Sequence, residues 1–135
     1  MKTSAIVPRQ STASIVLAFA GDVACVVLFA AIGRDTHEHG LDLPGILLTA
    51  APFAGGAAIG WLLSRAWRGP LALWPAAVVI WLSAVAFGLL LRGLAGGGLA
   101  MSFQIVTLLV LGALIVGWRL VAALVMKIRK SRTVA

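Results

Sequence analysis

The chain has 135 residues, 61% of them hydrophobic and 11% charged, with a mean hydropathy of +1.07 and a net charge of +7. A soluble domain carries roughly 25% charged residues to cover its wet surface, so this chain uses lipid as the solvent for most of its length. The positive residues sit at the ends of apolar runs and form no basic stripe interleaved with stacking aromatics, which excludes nucleic acid as a partner. The lone Cys25 excludes a disulfide framework and a thiolate zinc site.

Four apolar runs follow in chain order, each close to the ~20 residues that cross a ~30 Å hydrocarbon core. The first spans about 11–32 and contains Asp22. Lys2 and Arg9 precede it, but it is too long for the apolar region of a signal peptide, about 7–15 residues, and is read as a retained helix. A polar connector, 33–40, leads to the second run at about 45–64, where Pro52 predicts a kink. Gly56 and Gly60 in that run form a small-xxx-small face, expected to pack within the bundle, with a dedicated dimer contact as the alternative. The third run, about 74–91, opens on Trp74-Pro75, and proline suits a first helical turn. A Gly-rich connector precedes the fourth run at about 102–126, and a basic tail fills 127–135. These runs are too long for strands and lack the alternation of a membrane barrel. Backbone groups in lipid must be satisfied internally, so the expected fold is all-α, one domain of four transmembrane helices in a compact bundle.

Orientation follows from lysine and arginine placement. Lys2, Arg9, Arg65, Arg68, Lys127, Arg129, Lys130 and Arg132 fall on one side, against Arg34 and Arg92 on the other. Both termini are therefore expected in the cytoplasm. Trp61, Trp67 and Trp74 flank the inner connector and are expected at the headgroup level.

Asp22 is the strongest pointer to a site. It lies about eleven residues from the inner end of its helix, roughly 16 Å deep at 1.5 Å per residue. A charge at the bilayer centre costs about 2.5–3.5 kcal/mol even on insertion scales, so a partner is expected. Arg119, about eight residues or roughly 12 Å from the same face, is the candidate. A permanent pair that fixes helix packing is the preferred reading, because a carrier must release its proton near working pH. The alternative is a proton- or ion-handling carboxylate gated by Arg119.

Arg34 and Arg92 defy the inside bias. Helices two and four begin at the same surface and present N–H groups and partial positive charge there. Arg34, His37, Arg92 and Ser102 are therefore a candidate outer anion site, against ordinary snorkelling of two arginines. His37 and His39 lie two residues apart, without zinc-type spacing, so no metal is expected. No nucleophile–base pair, phosphate loop or cofactor motif appears. The basic tail suits anionic lipid, at about 1 kcal/mol per charge near the surface.

Several landmarks share an order: Asp22, Gly33-Arg34 and His37, Pro52-Phe53, Gly60-Trp61, Trp81, Leu91-Arg92, Ser102-Phe103, and Gly117-Trp118-Arg119. Together they resemble the domain of unknown function 3054 family, small four-helix membrane proteins of bacteria and haloarchaea. Family members often carry Arg-Ser where this chain has Asp35-Thr36. The resemblance implies a fold and a prokaryotic plasma-membrane location, and no activity. The expected function is that of a non-enzymatic membrane module, with a homo-oligomer as one form of assembly. The runner-up is a small oligomeric transporter or channel with Asp22 as coupling carboxylate, and the third reading is outer binding of an anionic ligand.

Overall fold

The computed structural model describes residues 11–36 and 42–134; His37, Glu38 and His39 lie outside them. Helix α1 spans Thr12–Thr36, α2 Leu43–Ser64, α3 Val78–Leu94 and α4 Met101–Val134. Four helical spans, Thr12–Arg34, Leu43–Ser64, Leu73–Leu94 and Met101–Arg132, are long and apolar enough to cross a membrane, and no strand occurs among the described residues. The protein is an all-α, multi-pass membrane bundle.

Local chemistry sets the helix ends. Ser11 caps α1 by accepting from the Ser14 N–H at 3.1 Å. Asp42 caps α2 by accepting from the Gly45 N–H at 2.9 Å, and Pro44 occupies the first turn, where its missing N–H costs nothing. Arg65 ends α2 in the left-handed region, at φ 51°. A short 3₁₀ turn, Ala66–Arg68, and a π-type turn, Leu73–Ala77, then carry the chain into α3.

Two helices run further than hydropathy indicates. Helix α1 continues to Thr36, so Arg34 sits in its last turn rather than in a connector. Helix α4 continues to Val134, so 127–134 is helical and its basic residues ride on a continuous rod. Hydropathy marks the part of a helix that lies in lipid, whereas Lys and Arg are themselves good helix formers.

The helices close into a ring in which α1 packs on α2 and α4, and α3 packs on the same two neighbours. The α2–α3 contact is the tightest. A Cβ on Gly56 would lie 2.8 Å from the Ser83 carbonyl oxygen, and one on Gly60 would lie 2.7 Å from Ile80 Cα. Small residues bring the two backbones together within the bundle, where lipid supplies no hydrophobic drive and packing must. Between α3 and α4, Trp81 lies over Gly112 and donates to the Leu108 carbonyl at 2.8 Å. Val26, Phe29, Phe53, Ile80, Leu111 and Ile115 fill the centre. Leu17, Leu48, Leu62 and Leu109 point outward, as lipid-facing residues do.

Candidate functional site

Asp22 stands ten residues into α1, about 15 Å along its axis from Thr12. Its side chain is fully buried, as is that of Arg119. The two meet as a bidentate pair: Nη1 donates to Oδ1 at 2.7 Å and Nη2 to Oδ2 at 2.8 Å. Planar fork-on-fork contact is the strongest arrangement open to a guanidinium and a carboxylate. Two indoles complete the carboxylate. Trp61 Nε1 donates to Oδ2 at 2.8 Å and Trp118 Nε1 to Oδ1 at 2.9 Å. Each oxygen thus accepts two hydrogen bonds.

The guanidinium is equally committed. Arg119 Nε donates to the Pro70 carbonyl at 2.7 Å, and Nη1 also reaches the Ile115 carbonyl at 3.2 Å. Its Cζ lies 4.4 Å from the centroid of the Trp118 ring. Among the described residues, no buried side-chain nitrogen or oxygen lacks a partner. An ion pair in a low-dielectric interior persists only when its polar atoms find partners, and here each side-chain nitrogen and carboxylate oxygen of the pair has at least one. Helices α1, α2 and α4 and the α2–α3 connection all converge on this one pair.

Trp61 differs from the sequence expectation. It is 6% exposed and bonded to Asp22, turned into the bundle rather than outward as a headgroup anchor would be. Trp67 and Trp74 are exposed. Nothing in the sequence pointed to the Pro70 carbonyl, because a backbone acceptor carries no side-chain signature. Trp118 did offer a signal, as the neighbour of an intramembrane arginine with an N–H that must find an acceptor once buried.

A second polar region lies at the other end of the bundle, where α1 and α3 finish. A cavity of about 390 Å³ is lined by residues from all four helices, among them Arg34, Thr49, Arg92 and Ser102, above Phe29 and Phe103. The guanidinium of Arg34 holds the Asp42 carboxylate at 2.9 Å. Arg92 donates from Nε to the Gly98 carbonyl at 3.0 Å, and its Cζ stacks 4.3 Å from the Phe103 ring centroid. Among the described residues, no carboxylate pairs with Arg92. Phe103 in turn packs on Phe29 and Phe53, with centroids 6.3 Å away in both cases. Arg34, Arg92 and Ser102 thus border one cavity, while His37 lies outside the described residues.

The Asp42 carboxyl is held below its ordinary pKa, first by the Gly45 N–H and then by Arg34. Among the described residues, no group of three or more His, Cys, Asp or Glu side chains is placed to hold a metal.

Four apolar spans, a closed helical ring and a buried polar clamp define a multi-pass four-helix membrane protein. The family described as a protein of unknown function, DUF3054, matches residues 19–122, and the chain belongs to it. No curated protein and no solved structure matches the chain.

Proposed function

We propose that the protein is a membrane module that binds an anionic group at the end of the bundle where α1 and α3 finish. The observation that carries this reading is the shared cavity. Arg34 and Arg92 come from different helices and line one space of about 390 Å³, and no described carboxylate pairs with Arg92. A guanidinium offers five donors in a rigid fork that matches carboxylate or phosphate, and stacking on Phe103 holds the plane of Arg92. Ser102 belongs to the same wall, whereas the Thr49 hydroxyl already donates to the Gly45 carbonyl at 2.9 Å.

Topology is part of the proposal. The excess of Lys and Arg on the other side supports an outward-facing cavity, with both termini cytoplasmic, in a prokaryotic cell membrane. The role of Asp22 is then to clamp the bundle. Its oxygens already accept four hydrogen bonds, so a transported proton would have to displace a donor. This favours a clamp over a coupling carboxylate.

Inorganic phosphate, added to the full chain in zwitterionic nanodiscs, tests the reading. Phosphate should raise the melting temperature of the wild type and should lose this effect in Arg92→Gln. A wild type indifferent to millimolar phosphate would overturn it.

A further inference from the structure

The cavity does not end at its polar walls. A second hollow, of about 170 Å³, runs between α1 and α4 and is lined by Ile32, Val106 and Val110. It shares Phe29, Gly33, Ser102 and Phe103 with the larger cavity. The two are therefore adjoining parts of one depression, polar at the end of the bundle and apolar along its flank. Ile32 and Val106 are 47% and 51% exposed at the rim of the apolar part, which opens sideways onto the lipid-facing surface. From Ser102 to Val110 the groove follows α4 for about 12 Å. Gly33, without a side chain, leaves the α1 wall open where the two hollows meet.

We propose that this depression is a binding site for an acidic phospholipid of the surrounding bilayer. The phosphate sits between Arg34 and Arg92, and the first part of one acyl chain lies on Val106 and Val110. The proposal rests on the anion reading of the cavity and adds the chain. Three observations support a lipid over a free anion. Both guanidinium groups border the space at the end of the spans, where headgroups lie. The apolar hollow leads away from them along the span, the direction an acyl chain takes. Its rim faces lipid, so the occupant enters from the membrane. Charge complementarity fixes the headgroup as acidic, because Arg34 is paired with Asp42 while Arg92 brings positive charge with no described carboxylate against it.

The test uses the full chain in nanodiscs of phosphatidylcholine doped with phosphatidic acid, with bound lipid counted by native mass spectrometry. The wild type should retain acidic lipid preferentially. Arg92→Gln should lose about tenfold in retention, the scale of one charge-assisted contact. Val106→Trp fills the groove from a half-exposed position, and it should lower lipid retention while leaving the response of the melting temperature to inorganic phosphate intact. Should that variant fold poorly, Ile32→Trp on the opposite rim serves the same purpose. If the wild type responds to phosphate but neither groove variant alters lipid retention, the lipid proposal falls and the anion reading stands. If Arg92→Gln changes neither phosphate response nor lipid retention, both fall.

Discussion

Trp61 and Trp118 approach one carboxylate from two helices and donate to different oxygens of Asp22, at 2.8 and 2.9 Å. Each indole is therefore a ligand of the charge as well as an apolar body. Trp61→Phe and Trp118→Phe keep most of the volume and remove one donor each. Hydrogen bonds to charged groups contribute about 1.5–3 kcal/mol, so each variant should lose stability on that scale. Thermal or denaturant unfolding in detergent checks this, with Trp67→Phe, an exposed indole, as the neutral comparison.

The ion pair itself should show strong coupling. Removing one partner leaves a buried uncompensated charge, which costs about 3–5 kcal/mol in general. Asp22→Asn and Arg119→Gln should each depress folded yield more than the two changes combined. Additive losses in the double variant would disprove energetic coupling across the pair.

The helices, their order and their apolar character were legible in the sequence, because a span must supply about twenty apolar residues whatever its neighbours are. Azimuth was not. Trp61 lies near the end of its run, and only the rotation of α2 about its axis turns it toward Asp22 instead of the headgroups. Depth alone set Asp22 and Arg119 at similar levels, but a depth argument is blind to the indoles and to the Pro70 carbonyl. The far ends of α1 and α4 were hidden for another reason. Polar residues such as Arg34 and Arg129 leave the hydrophobic count without leaving the helix.

Gly60→Ala should be costly and Gly117→Ala should not. A methyl on Gly60 would meet the α3 backbone at Ile80, where nothing flexible gives way, and overpacking of this sort costs about 1–3 kcal/mol. Gly117 has nothing within 4 Å of its added Cβ, so the better helix propensity of alanine, up to about 1 kcal/mol, should dominate. Unfolding of the two variants side by side gives the comparison.

Topology has a direct readout. In a Cys25→Ala background, a cysteine at Gly98 should react with an impermeant thiol reagent from outside intact cells, and one at Arg129 only after the membrane is opened. The opposite pattern would invert the bundle.

Asp42 offers a pH test on the cap of α2. Its pKa is lowered in the folded chain, so its stabilising effect is fully present above the unfolded value, about 3.9, and disappears only as pH falls through the lower folded value. Stability should therefore be insensitive to Asp42 between about pH 5 and 8. Asp42→Asn should keep the cap, because Asn and Asp rank alike there, while removing the charge that faces Arg34. Phosphate affinity at the cavity should rise in this variant, measured by the same melting shift as in the wild type.

The partners of Asp22 are spread along the chain in a way that gives assembly a timetable. Trp61 follows it by 39 residues, and Arg119 by 97. Translation at about 5–20 residues per second makes the carboxylate some 5–20 s before its arginine exists. During that interval the first donor to be synthesised is the Trp61 indole, on the very next helix. The α1–α2 hairpin thus holds the first of the ligands for the acid, and the last helix to emerge delivers both Trp118 and Arg119 at once. A chain that stops before α4 therefore lacks the arginine and one of the two indoles that meet Asp22 in the finished bundle.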